Sequence, residues 1–125
     1  MYKKIIKYLK VFIQKDNNLI YKKISEDKIE WRRKDNNFLH KEDGPARIYN
    51  NGDKFWFQNG KYHRLDGPAL EFTDGEKWWY QNGKCHRTDG PAIEGEDGEK
   101  EYWLDNIYYP DINSDEEWLI FQIIN

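Results

Sequence analysis

The chain is short of cysteine, methionine and uninterrupted apolar sequence: it has one Cys, one Met and four Pro in 125 residues. A single cysteine, Cys85, excludes an intrachain disulfide and a thiolate-ligated metal cluster, and it fits a reducing compartment. A secretion signal needs an unbroken apolar region, and a membrane span needs about 20 apolar residues. The opening stretch MYKKIIKYLKVFIQK has lysines scattered through its apolar positions and meets neither need. The expectation is an intracellular, soluble protein with no membrane partner. Catalytic signatures are missing as well: there is no Gly-x-Ser-x-Gly, no phosphate loop and no metalloprotease helix.

What is present is charge and aromatic surface. The charged fraction is 34% and the mean hydropathy −1.10, values that alone suggest disorder. An aromatic fraction of 17%, with six Trp and nine Tyr, argues for a folded chain, because disordered chains are poor in aromatics. The length suits one domain with a modest core. Charge is unevenly placed. Residues 1–25 hold seven Lys and one Asp, so the rest of a chain of net charge −3 carries −9. A basic arm on an acidic body either lies on its own body or a second copy, or meets an external anionic partner.

Residues 36–106 write one sentence three times with a period of 23 residues. His40, His63 and His86 align; so do Asp43-Gly44-Pro45, Asp66-Gly67-Pro68 and Asp89-Gly90-Pro91, and the turn glycines Gly52, Gly75 and Gly98. A fixed period of this size marks a repeat architecture. Asn59-Gly60 and Asn82-Gly83, like Asn51-Gly52 and Asp74-Gly75, read as two-residue type I′ turns between strand-like runs. Proline in the Asp-Gly-Pro segment bends the chain. Each unit then supplies about two strands. The predicted fold is mainly β, an antiparallel meander of stacked β-hairpin repeats with short terminal helices. Its three parts are a basic arm and degenerate first hairpin over 1–35, three hairpin repeats over 36–106, and a capping helix over 107–125.

A two-residue turn at Asp74-Gly75 sets Leu70 opposite Trp79 and Glu71 opposite Trp78. One face then collects Leu70, Phe72, Trp79, Tyr49, Trp56, Ile93 and Tyr102, and is assigned to the core. The other collects Phe55, Phe57, Trp78, Tyr80 and Trp103, and is assigned as the candidate interaction surface. At the N-terminus, apolar residues at Tyr2, Ile5, Ile6, Leu9, Phe12 and Ile13 approach a helical stripe. Lys3, Lys4, Lys7 and Lys10 make that segment a candidate anion-binding arm. Near the C-terminus, Ser114-Asp115-Glu116-Glu117 reads as a capping box, with Trp118, Leu119, Phe121, Ile123 and Ile124 in a short helix that closes the last repeat.

The motif Asn-Gly-Lys-x-His-Arg-x-Asp-Gly-Pro-Ala, seen at 59–69 and 82–92, resembles the MORN-like repeats of giant DNA viruses, their virophages and phages. The resemblance spans residues 36–106. It implies a sheet of stacked hairpins used for binding or scaffolding, with no shared chemistry, in host cytoplasm or a viral factory. The abundance of Lys, Ile and Asn agrees with an AT-rich viral genome.

The His-x-x-Asp pairs are the sharpest chemical candidates, since both groups ligate metals and move protons. Equivalent residues of two-strand units lie about 9.5 Å apart, whereas zinc ligands sit about 2.0–2.2 Å from the ion. The three histidines therefore share no metal. The structural reading is that the aspartate caps the Gly-Pro turn with the imidazole packed beside it. Cys85, where the preceding copy has Tyr62, reads as a packing substitution. The expectation is a non-enzymatic, cofactor-free module that binds another protein and forms homo-oligomers. The alternative is a nucleic-acid binder that uses the Lys-rich arm with exposed sheet aromatics.

Overall fold

A computed structural model describes residues 20–125; the predicted helix over 2–14 and the arm lysines Lys3, Lys4, Lys7 and Lys10 lie outside the described residues. The fold is mainly β, an antiparallel meander closed by one short C-terminal helix. Strands β1 (Ile20–Ile24), β2 (Lys28–Arg33), β3 (Arg47–Tyr49), β4 (Lys54–Phe55), β5 (Phe57–Gln58), β6 (Lys61–Tyr62), β7 (Leu70–Glu71) and β8 (Lys77–Trp78) come first. They are followed by β9 (Tyr80–Gln81), β10 (Lys84–Cys85), β11 (Ile93–Glu94), β12 (Lys100–Glu101), β13 (Trp103–Leu104), β14 (Ile107–Tyr108) and α1 (Asp115–Ile124). An eight-stranded sheet runs β1-β2-β3-β4-β7-β8-β11-β12, and β5–β6, β9–β10 and β13–β14 are separate two-stranded hairpins.

The second and third units thus supply four short strands each, and the first unit three, rather than two. The extra break falls at the central aromatic. Trp56 stands between β4 and β5; its N–H donates to Ala69 O (2.7 Å) and its carbonyl accepts from His63 N–H (3.1 Å). Trp79 does the same with Ala92 O (2.7 Å) and His86 N–H (3.1 Å), and Trp31 with Ala46 O (2.8 Å) and His40 N–H (3.0 Å). At Trp56 and Trp79 the chain leaves the main sheet and enters a side hairpin, whereas β2 runs unbroken through Trp31. The side hairpins bond to one another through Arg64 N–H to Tyr80 O and Gly83 N–H to Tyr62 O, then through Arg87 N–H to Trp103 O and Asn106 N–H to Cys85 O. They form a second row beside the sheet.

The side-hairpin turns are the expected two-residue type. Phe57 pairs with Tyr62 and Gln58 with Lys61, and Asn59 (φ 49°) and Gly60 (φ 78°) both have positive φ, as type I′ requires. The main-sheet turns are not. Phe72 N–H donates to Glu76 O and Gly75 N–H to Phe72 O, so the loop is Thr73-Asp74-Gly75, with only Gly75 (φ 101°) in the left-handed region. This is the three-residue loop in which glycine ends a type I turn. The same pattern recurs at Tyr49–Asp53 and Gly95–Glu99.

One extra loop residue slips the register by one and exchanges the faces. Leu70 pairs with Trp78, not Trp79, and Phe55 pairs with Leu70. The core face therefore holds Phe55 and Phe57, both buried, with Leu70, Phe72, Trp78, Tyr80 and Tyr62 against them. This corrects the assignment of Phe55, Phe57, Trp78 and Tyr80 to an open interaction surface. Trp56 also packs against this cluster, as the sequence reading expected, whereas Trp79 is not part of it. The core rings meet edge to face: Tyr49–Phe55 and Phe55–Phe72 at 5.4 Å, and Phe72–Trp78 at 5.8 Å. That geometry adds about 0.5–1.5 kcal/mol per pair to the area buried. On the opposite face the register sets Lys54 beside Glu71, Glu71 beside Lys77, Lys77 beside Glu94 and Glu94 beside Lys100. Alternating charge across neighbouring strands favours this register over a slipped one.

At the β1 end the core face closes on a buried carboxylate. Glu30 accepts from Arg47 Nη2 (2.7 Å), Arg47 Nε (3.0 Å) and Arg32 Nη2 (3.0 Å). At the other end stands α1. Ser114 Oγ accepts from Glu117 N–H (3.1 Å), as its N-cap position predicts. The return bond of the box is displaced by one residue: the Glu117 carboxylate accepts from Asn113 N–H (2.8 Å).

Candidate functional site

The repeat motif builds one clamp per unit. Arg64 follows His63 on the way out of β6, and its guanidinium lies 4.0 Å over the Trp56 ring. Its Nη1 donates to Pro68 O (3.0 Å) and Glu71 Oε1 (2.8 Å), and its Nε to Asp66 Oδ1 (2.9 Å). Arg87 repeats every contact: 3.9 Å over Trp79, then Pro91 O (3.0 Å), Glu94 Oε1 (3.1 Å) and Asp89 Oδ1 (2.8 Å). In the first unit Lys41 takes the place, 4.0 Å over Trp31 and 3.9 Å from Asp43. The conserved geometry explains why Asp-Gly-Pro follows the cation. The carboxylate holds the fork from one side and the proline carbonyl, which needs no partner strand, from the other. The Arg64 hydrogen bond and then its charge hold the Asp66 carboxyl below the usual range.

The structure does not bring His and Asp of one motif together. Each imidazole instead accepts a backbone N–H from the next side-hairpin turn: Asn59 N–H to His40 Nδ1 (3.0 Å), Asn82 N–H to His63 Nδ1 (3.0 Å) and Asp105 N–H to His86 Nδ1 (3.2 Å). The histidines therefore pin one unit to the next, and the aspartates serve the arginines two residues before them. Among the described residues no three His, Cys, Asp or Glu side chains are placed to hold one metal ion. Cys85 is buried, and burial pushes its thiol up to about 12. A thiol so placed is a packing group rather than a nucleophile at neutral pH.

The last unit ends differently. Where a fourth clamp cation would fall the sequence has Pro110. Trp118 of α1, fully buried, packs on Tyr102 and Tyr109 with centroids 5.4 Å from each. Its indole N–H donates to Arg87 O (3.2 Å), and Gln122 Nε2 donates to Thr88 O (2.6 Å). The Tyr102 hydroxyl donates to Asp115 Oδ1 (2.6 Å), and burial with that carboxylate beside it raises the phenol well above its usual range. The helix thus covers the open Tyr102 ring that no following unit would cover.

Covering that ring leaves the other side of α1 uncovered. Leu119 (49%), Ile120 (50%), Ile123 (82%) and Ile124 (75%) are exposed, and so are Ile107 and Tyr108 on the last side hairpin. Large apolar groups concentrated at one end of a small chain mark a contact surface. Of the candidate surface residues, Trp78 and Trp103 are half-buried with their indoles tied to Glu76 (2.6 Å) and Glu101 (2.9 Å), and Trp103 stacks on Tyr108 at 4.9 Å. The Arg–Trp clamps and the apolar side of α1 escaped the sequence reading. The recurring Trp and Arg eight residues apart (56 and 64, 79 and 87) was the signal for the first. The second was legible as Leu119, Ile120, Ile123 and Ile124 on a helix that also carries Trp118.

No family model, curated protein or solved structure matches this chain. Among the described residues no helix is long and apolar enough to cross a membrane.

Proposed function

We propose that the chain is a MORN-like repeat protein of viral type that works without catalysis, as a protein-interaction scaffold that associates with itself in host cytoplasm or a viral factory. The observation that carries this reading is the pairing of a regular stack of self-satisfied clamps with one unsatisfied apolar end. The polar groups most suggestive of chemistry are spent on holding units together: the histidines on turns, the arginines on tryptophans and proline carbonyls. Most of the large apolar side chains left exposed lie on α1 and the last hairpin, with Phe38 and Leu65 standing apart from them. The alternative, nucleic-acid binding by the Lys-rich arm with sheet aromatics, has weaker support. Two of its aromatics, Phe55 and Phe57, are core residues, and Trp78 and Trp103 sit beside carboxylates that repel phosphate.

Sedimentation velocity of the purified chain over a wide concentration range tests self-association, with a monomer throughout counting against it. Anisotropy titrations with single-stranded oligonucleotides at rising salt test the alternative. A steep fall of affinity with salt that vanishes when residues 1–15 are removed would replace the scaffold reading.

A further inference from the structure

The exposed face of α1 has a partner within the sequence. On a helix, positions 119, 120, 123 and 124 share one side, opposite Trp118 and Gln122, which grip the last repeat. Past the first turn that outward side is Leu and Ile, with Glu116 of the first turn in line with it. The first turn of α1 carries Asp115, Glu116 and Glu117, and its last turn has no basic residue, so the helix offers an apolar strip edged only by negative charge. Glu116 makes no hydrogen bond or ion pair with another described residue. Residues 2–13 offer the complement: an apolar stripe of Tyr2, Ile5, Ile6, Leu9, Phe12 and Ile13 interleaved with Lys3, Lys4, Lys7 and Lys10. They have no acidic residue among them.

The two ends of the molecule are far apart. β1 and β12 are opposite edges of the eight-stranded sheet, separated by seven strand spacings, or roughly 34 Å. Residues 14–19, fully extended, reach at most about 20 Å from Ile20. A chain cannot lay its whole stripe on its own α1, whereas a second copy can bring its β1 edge alongside.

We infer that the outward face of α1 is the docking site for residues 2–13 of a second copy, exchanged reciprocally about a two-fold axis. The apolar stripe covers Leu119, Ile120, Ile123 and Ile124, and the arm lysines lie along the acidic first turn. Two identical contacts close the dimer and leave neither apolar end open. This rests on the self-association reading above and names the surface that carries it.

The test is sedimentation velocity on the full chain, on a chain lacking residues 2–15, and on Ile123→Lys/Ile124→Lys. The last places cations at a helix C-terminus, where they suit the dipole, on residues that are outside the core. Wild type is expected to dimerise, and each variant to dimerise at least ten-fold more weakly. A mixture of the two variants, one supplying an intact arm and the other an intact α1, is expected to form a one-to-one complex that neither forms alone. Dimerisation that survives both changes would overturn the assignment while leaving self-association standing. A wild-type monomer at every concentration would overturn both, including the case in which α1 amides exchange faster once the arm is removed, which would mean docking within one chain. A monomer that partitions onto anionic vesicles, and loses this in each variant, would equally replace the second copy with a lipid surface.

Discussion

Removal of Arg64 tests the clamp quantitatively, because the chain carries its own control. Arg64→Ala loses a charge-assisted bond to a proline carbonyl, about 1.5–3 kcal/mol, and a stack on an indole, about 0.5–1 kcal/mol at a partly exposed site. The ion pair to Asp66 adds little, since that carboxylate is well exposed and such pairs contribute about 0.2–1 kcal/mol; Glu71 is half-buried and stands at the upper end of that range. These contributions overlap, so the expected loss is about 2–4 kcal/mol in urea unfolding followed by tryptophan fluorescence and far-ultraviolet dichroism. Arg87 makes the same contacts at distances that differ by no more than 0.3 Å, so Arg87→Ala should lose the same amount to within about 1 kcal/mol. The first unit holds the milder substitution already. Lys41 has the indole but reaches no carbonyl, and Ile48 stands where Glu71 and Glu94 stand later. Lys41→Arg is therefore expected to gain about 1 kcal/mol through the Pro45 carbonyl alone. The reasoning fails if Arg64→Ala costs less than about 1 kcal/mol, or if the two arginine variants differ as much from each other as from wild type.

Other expectations follow from the turns, the buried pair and the thiol. Gly75→Ala meets open space at φ 101° and should cost about 1–2 kcal/mol for the left-handed backbone alone. Gly52→Ala at φ 100° also sets a Cβ 2.9 Å from Thr73 Cγ2 and should cost more, a ranking that thermal unfolding reads directly. Burial alone would raise the Glu30 carboxyl, but the Arg47 hydrogen bond and the charges of Arg32 and Arg47 outweigh it and hold the group below its ordinary 4.5. A depressed carboxylate stabilises the fold fully above its unfolded value and loses that contribution as pH falls through the folded one. Acid unfolding below about pH 4.5 should therefore be shallower in Glu30→Gln, and an unchanged profile would remove the pair from the account. Cys85 should resist a thiol reagent at pH 8 by at least about 100-fold relative to the urea-unfolded chain, given its burial and a thiol pushed up to about 12; rapid native labelling would contradict its place in the core.

The repeat, its mainly β hairpin character and its capping helix were legible because each rests on local chemistry: Asn-Gly at a type I′ turn, Ser114 before three acids, aromatic runs between turns. The faces were not, for a reason one residue wide. Asn51-Gly52 and Asp74-Gly75 suit a two-residue turn and also a three-residue loop that needs a left-handed residue only at the glycine. Asn51 and Asp74 accept from the N–H two residues on, at 3.0 and 2.8 Å, which ties the longer loop. That single residue moved Phe55 and Phe57 from the surface to the core. The clamp was hidden for a different reason. Trp56 and Arg64 meet only because the chain breaks at Trp56 and the side hairpin folds back, and pairing rules for continuous strands do not anticipate that break. The His–Asp spacing suggested a pair, but an arginine two residues before the aspartate is a stronger partner for a carboxylate than a neutral imidazole.

The histidine pins reach from each unit only to the turn of the next, and α1 grips only the last. Nothing in that arrangement counts units. Removing or inserting 23 residues would shift the β12 end by about 9.5 Å relative to β1 and leave both ends chemically unchanged. The chain therefore behaves as a ruler with interchangeable divisions, in which copy number sets how far the buried Glu30 end stands from the apolar end. A lineage that gains or loses one unit changes the span between two attachment points without redesigning either.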